Sequence, residues 1–175
     1  MSEIKNLEEA DEAAVLAFFE RIPAADRNFF KEDLRDAGAV RAWLRDPRLR
    51  RAVAVEEDGS VAGYAALIPG LGWSGHVGEL RLVVDPRRRR QGVGRRLAQW
   101  AVLEAIRQGL EKLTVEVVAQ QEAAVAMFQQ LGFAGEALLT DQVRDRDGEL
   151  RDLLVLAHRV DRNRSLLETL GAAEE

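Results

Sequence analysis

Between Glu79 and Gly109 the apolar residues change their period once, and that change constrains the fold more than anything else in the chain. "ELRLVV", Glu79 to Val84, reads as a strand, and Pro86 ends it because proline cannot continue a central ladder. From Val93 the apolar residues recur at three- and four-residue steps through Leu97, Ala101, Ala105 and Ile106, the spacing of one helix face, and Gly109 ends the pattern. "KLTVEVVA" is then a buried strand. Strand, helix and strand in this order make one parallel crossover.

Around that unit the signals are those of neighbouring strands. "RAVAVEEDG" and "SVAGYAALIPG" are β-rich runs joined at Asp58-Gly59, and "EALLTDQV" and "LRDLLVLAHRV" flank a second hairpin signal at Asp147-Gly148. Ile4 to Leu7 is a candidate short strand. Asp11 is expected to cap a helix with Val15, Leu16, Phe18, Phe19 and Ile22 on its apolar face, ended by Pro23. A second helical region, "NFFKEDLRDAGAVRAWLRD", is expected to be interrupted near Gly38 and to stop before Pro47. Glu122 to Leu131 is a short helix burying Val125, Phe128 and Leu131 and closed by Gly132, and the tail after Asp161 reads as a short helix. The order predicts an α+β fold, a mixed sheet with one parallel step, in one domain covering residues 1–175.

Composition narrows the function classes. At 47% apolar and 31% charged residues the chain is of the soluble globular type, and its formal charge of -5 argues against a general nucleic-acid binder. There is no cysteine, so disulfides, thiolate zinc sites and a cysteine nucleophile are excluded. His76 and His158 lie far apart without metal spacing, and no metal is expected. No run approaches the ~18 consecutive apolar residues of a membrane span. The acidic N-terminal segment does not read as a signal peptide, so a cytoplasmic location is expected.

Against that acidic background, "DPRRRRQGVGRRLAQW" stands out: from Arg81 to Arg96 there are seven arginines and one aspartate. The cluster could be a nucleic-acid patch, a solvated helix start or a cradle for a small anion. Trp100 is the one aromatic near it, too few for base stacking. A strand running through glycines into a helix aims several unpartnered backbone N–H groups at one point, which is an anion site. Gly92 and Gly94 let the backbone come close to a phosphate. The P-loop lysine and hydroxyl are missing, and Leu97 occupies the third glycine position of a dinucleotide fingerprint.

What remains is the pattern [QR]-x-x-G-x-[GA], filled by Arg89, Arg90, Gln91, Gly92, Val93 and Gly94. Here the chain resembles the GNAT superfamily of N-acetyltransferases. "LRLVVDPRRRRQGVGRRL" is similar to the family's strand, pyrophosphate loop and helix, and "LTVEVVAQQEAAVAMFQQLGF" to its next strand and helix. The resemblance covers roughly Val53 to Val160. It implies a central, mostly antiparallel twisted sheet with flanking helices, acceptor-side helices at about 11–46, an acetyl-CoA-binding core at about 51–160 and a tail at 161–175. It implies acetyl-CoA as acyl donor, a primary amine of a small molecule or protein as acceptor, no nucleic-acid or membrane partner, and a homodimer as one possible assembly.

Carried over residue by residue, Leu82, Val83 and Val84 match a bulged strand end whose backbone pairs with the pantetheine arm, and Arg90 to Arg95 match the pyrophosphate loop. Arg90 stands where the family often has glycine, and Gln121 where many members have an asparagine on the cofactor arm. Phe128 stands in the cofactor wall where many members have a tyrosine that protonates the departing thiolate. An amine of pKa ~10.4 needs a base, and Glu79 and Glu116 match two different carboxylates used within the family. Their strands are apolar, and burial is expected to raise their pKa values; a structural ion pair with Arg81 is the competing expectation. Tyr64, the single tyrosine, is either core or a replacement acid. Phe128 and Gln121 also suit an alternative, an acyl-CoA-binding regulatory domain with weak or no catalysis.

Overall fold

In a computed structural model of the chain, which describes residues 2–27, 31, 36–46 and 48–160, the apolar runs assemble into one seven-stranded sheet. The elements in chain order are β1 (Glu3–Asn6), α1 (Glu12–Arg21), α2 (Ala24–Arg27), α3 (Ala37–Arg45), β2 (Arg50–Val55), β3 (Val61–Pro69) and β4 (Val77–Val84). There follow α4 (Val93–Arg107), β5 (Lys112–Val118), α5 (Glu122–Gln130), β6 (Ala134–Arg144) and β7 (Leu150–Arg159). The sheet order is β1-β2-β3-β4-β5-β7-β6, and every pairing is antiparallel except β4 with β5. The crossover through α4 is therefore the one parallel step, as the periodicity predicts. Among the described residues no helix is long and apolar enough to cross a membrane.

Strand alternation divides the core between the two faces of the sheet. On one face Leu97, Ala101 and Ala105 of α4 and Phe128 of α5 pack on Leu80, Leu113, Val115 and Leu156. On the other, Val15, Phe18 and Phe19 of α1 and Val40 of α3 pack on Val53, Tyr64 and Val83. Each large apolar side chain so buried contributes about 1.5–3 kcal/mol. Gly63 sets how closely α4 lies: a Cβ there would stand 2.9 Å from Leu97 Cδ1 and 3.0 Å from Val93 Cγ1. The start of α4 is thereby held against β3 and β4.

Both hairpin turns form as expected. Gly59 and Gly148 take φ of 81° and 85°, and the preceding aspartates, Asp58 and Asp145, accept local N–H bonds. One expected detail is corrected. Asp11 stands at the N-cap position of α1 but its side chain does not cap the helix: its carboxylate accepts from Glu8 N–H at 3.0 Å and pairs with Lys5 at 2.8 Å, closing a 3₁₀ turn at Glu9–Asp11 ahead of the helix. Near Gly38, where an interruption is expected, α3 begins: Asp36 is its extended N-cap, and the Gly38 N–H in the first turn donates to the Asp36 carboxylate at 2.8 Å. The expected helix over residues 28–30 and 32–35, with Phe29 and Phe30, and the tail after residue 160 lie outside the described residues.

Candidate functional site

The parallel ladder between β4 and β5 runs only from Val77↔Lys112 to Leu80↔Val115, although β4 continues to Val84 and β5 to Val118. Past Leu80 the strands no longer pair, and a cleft of about 1150 Å³ opens between them. The Asp85 N–H bonds to Ala62 O at 2.9 Å. By two-residue alternation, the N–H groups of Arg81 and Val83 point at β3, and those of Leu82 and Val84 point toward β5, whose ladder has ended. The expected bulge in this strand end is absent from the β3–β4 register, which runs unbroken from Gly63↔Val84 to Pro69↔Gly78. What frees the two amides is the stopped ladder instead.

At the mouth of the cleft the chain turns from β4 into α4. Asp85 anchors the turn by accepting Arg87 N–H at 2.9 Å and the Arg87 guanidinium at 2.7 and 3.1 Å, with Arg21 at 3.6 Å. The Arg87 hydrogen bonds outweigh the opposing effect of burial and pull the Asp85 carboxyl down to about 2. Past a 3₁₀ turn at Pro86–Arg88, Arg90 and Gly92 take φ of 59° and 80°, and Gly92 is the N-cap of α4. The first helical bond is Arg96 N–H to Gly92 O at 3.1 Å, so the amides of Val93, Gly94 and Arg95 have no acceptor within the helix. A Cβ on Gly94 would lie 3.3 Å from Met127 Sδ and 3.4 Å from Val84 Cγ2, so the bare backbone there forms part of the wall.

The structure sorts the arginines. Arg88, Arg89, Arg90 and Arg95 line the cleft, with Arg89 held by Asp26 at 2.6 Å and Arg95 by Gln130 at 3.3 Å. Arg87 is spent on Asp85, and Arg96 is tied to the Ser2 carbonyl and, at 2.7 Å, to the Ser2 hydroxyl. Two of the expected loop residues, Gln91 and Val93, do not line the cleft. Gln91 donates to Arg87 O at 3.2 Å on the outside, and the Val93 side chain is buried in the core.

Deeper in, Glu79 and Arg81 of β4 and Glu116 of β5 project from the face opposite α4. Arg81 Nε donates to Glu79 at 3.0 Å, the ion pair expected as the structural alternative. Lys31 Nζ bridges the two carboxylates, 3.0 Å from Glu79 Oε1 and 3.1 Å from Glu116 Oε1. For Glu79 burial does push the carboxyl upward, but the hydrogen bonds and charges of Arg81 and Lys31 win, and it sits below its ordinary value. The expected rise is thus overturned at Glu79. Lys31 is held above its ordinary value for the reciprocal reason: burial pulls it down, and its bonds to Glu79 and Glu116 more than compensate.

On the far wall Gln121 stands at the N-cap of α5, and Phe128 is 3% exposed, edge-on to Phe133 with ring centres 5.2 Å apart. Both line the cleft, as do Leu82, Val83 and Val84. Tyr64 does not: it is fully buried on the α1 side, 5.0 Å from the Phe19 ring, and its hydroxyl accepts from Arg51. It is core. Lys31, Asp26 and Met127 are cleft residues that the sequence reading missed; for Lys31 its rarity, one of three lysines, is the one available signal. Among the described residues no group of three histidine or acidic side chains forms a metal set.

Comparison with known proteins agrees with this architecture. Residues 12–133 match the acetyltransferase (GNAT) family. The [ribosomal protein bS18]-alanine N-acetyltransferase of Escherichia coli (strain K12) is 33% identical over 76 residues, 43% of this chain and 51% of that protein. The chain thus spans about half the length of the curated relatives it matches. The ribosomal-protein-alanine N-acetyltransferase from Brucella melitensis superposes with a TM-score of 0.76 at 27% identity, covering 90% of this chain and 99% of that one. The Salmonella typhimurium protein yncA, solved with its cofactor acetyl-CoA, superposes with a TM-score of 0.78 at 22% identity, covering 91% and 94%, a likeness of fold. With the family match spanning well over half its length, and with the splayed crossover and glycine turn in place, this chain belongs to the GNAT family of acetyltransferases.

Proposed function

We propose that this protein, acting as a single domain over residues 1–175, transfers an acetyl group from acetyl-CoA directly to the nitrogen of a primary amine. The observation that carries the reading is the coincidence of two sets of free backbone amides on one cleft, at the split strand end and at the start of α4. The residues fit acetyl-CoA. The amides of Val93, Gly94 and Arg95, with the α4 dipole, suit its pyrophosphate, the dipole contributing about 0.3–1 kcal/mol. Arg89, Arg90 and Arg95 add charge. The amides of Leu82 and Val84, with Val83 between them, suit the pantetheine arm, opposite Gln121 and Phe128.

Acetyl-CoA supplies a thioester already activated for attack, so no cysteine nucleophile is required. The acceptor arrives largely as an ammonium and must lose a proton. Glu116 is the better base of the two carboxylates: Glu79 is engaged by both Arg81 and Lys31 and its proton affinity is lowered, whereas the hydrogen bond of Glu116 is to Lys31. Glu79 then orients the amine through the shared hydrogen-bond network. The named activity of the Escherichia coli and Brucella melitensis relatives adds a peptide with an N-terminal alanine to the acceptors worth offering.

The test is thiol release from acetyl-CoA across amino acids, polyamines, aminoglycosides and an N-terminal alanine peptide. At least one primary amine is expected to turn over, with kcat reduced about 10²- to 10⁴-fold in Glu116→Gln and less in Glu79→Gln. A second reading, an acyl-CoA-binding regulatory domain, is favoured by Phe128, which offers no proton to the departing thiolate. Acetyl-CoA binding without thioester consumption by any amine would overturn the enzymatic reading in favour of the regulatory one.

A further inference from the structure

The chain contains three lysines, and two of them, Lys5 and Lys112, form single ion pairs with Asp11 and Glu136. The third is different in kind. Lys31 Nζ sits inside the cleft, 3.0 Å from Glu79 and 3.1 Å from Glu116, and so occupies the position an acceptor amine needs in front of the carboxylates. The ladder ends at Leu80↔Val115, so Glu79 and Glu116 flank the point where the strands part, and the free amides of Leu82 and Val84 follow on β4. A primary amine on a flexible four-carbon stem is held at this point by the protein itself.

We propose that Lys31 is an intramolecular acceptor and that the protein acetylates its own Lys31 Nζ from acetyl-CoA, an inference resting on the acetyl-CoA cleft proposed above. The Lys31 ammonium gives one proton to Glu116, which passes it to solvent. The neutral nitrogen attacks the thioester carbonyl carbon, the C–N bond forms, the C–S bond breaks, and the second nitrogen proton ends on the CoA sulfur. The products are an acetamide at Lys31 and free CoA thiol. With Arg81, the cluster of Glu79, Glu116 and Lys31 is charge-neutral before the step; afterwards it carries one net negative charge and both carboxylates are released. Modification would thereby open the site to an external cationic amine.

Intramolecular positioning and a base in hydrogen-bond contact both favour this lysine over the other two. Among the described residues the charged groups facing it are Glu79 and Arg81 from β4 and Glu116 from β5, and because the two carboxylates stabilise the ammonium, the rate should climb with pH. The experiment incubates the full chain with acetyl-CoA and follows it by intact mass and peptide mapping, with acetyl-CoA binding measured in parallel by calorimetry. Lys31 is expected to gain one acetyl group at least about a hundredfold faster than Lys5 or Lys112, at a rate unchanged on dilution. The gain should vanish in Lys31→Arg and slow by about as much in Glu116→Gln, both still binding acetyl-CoA. Normal acetyl-CoA binding with Lys31 modified no faster than Lys5, or at a dilution-dependent rate, would overturn the inference alone. Absence of acetyl-CoA binding would overturn the cleft reading and this inference with it.

Discussion

Single residues in the cleft were legible from sequence where their constraint is local. Gly92 sits at φ 80° at a helix start, a conformation a strand–glycine–helix string announces by itself. Arg90, at φ 59°, is the non-glycine residue of the turn that carries a left-handed backbone, and its side chain lines the cleft. The left-handed conformation costs about 1–2 kcal/mol, part of which returns as the greater chain entropy of glycine on unfolding. Arg90→Gly is therefore expected to raise the melting temperature by about 1–3 °C in a calorimetric scan while weakening acetyl-CoA binding. Phe128 carries the opposite kind of prediction. Phe128→Tyr should raise kcat about a hundredfold, the low end of what a positioned acid contributes, in a steady-state assay with the best acceptor. An unchanged kcat would mean that solvent already protonates the thiolate efficiently. Lys31 was not legible, because its partners lie 48 and 85 residues away and no local pattern links them.

Elements were read well where periodicity decides and less well where long-range packing does. The β4–α4–β5 crossover follows from a change of apolar period, and the two hairpins follow from Asp-Gly turns. The insertion of β7 between β5 and β6 has no turn signal; it follows from burial, since Leu153, Leu156 and Ala157 of β7 are buried, whereas β6 lies at the sheet edge and is largely exposed. The side chain of Asp11 was misread as a cap because Lys5, on β1, and a 3₁₀ turn claim its carboxylate. At the β4–α4 junction Asp85 holds the turn, and its carboxyl is lowered from 3.8 to about 2. A depressed carboxyl adds stability that is complete above about pH 4 and is lost as the pH falls toward 2. Partner Arg87 is exposed, so solvent screening leaves about 1–2 kcal/mol. Asp85→Asn should flatten the acid limb of the unfolding curve between those pH values by that amount, and an unaltered limb would remove Asp85 from the anchor role. Glu79, also depressed, adds to the same limb from its ordinary value downward.

For the molecule as a whole, the two faces of the sheet divide the labour. The α4–α5 face builds the amide-lined half of the cleft, and the α1–α3 face carries Glu79, Arg81 and Glu116. They meet where one parallel ladder stops four residues short of the end of β4. The arginine-rich turn is thus a rim on which Arg87 and Arg96 serve the fold and Arg89, Arg90 and Arg95 line the cleft. If backbone rather than charge defines the site, glycine and arginine changes must differ in kind. The most direct measurement is a calorimetric titration of acetyl-CoA into the unaltered protein, Gly94→Glu and Arg95→Ala. The expected result is one site on the unaltered protein, weaker binding by Arg95→Ala and none by Gly94→Glu, whose side chain would enter the space between Met127 and Val84. Undiminished binding by Gly94→Glu, or equal losses in the two variants, would contradict the account.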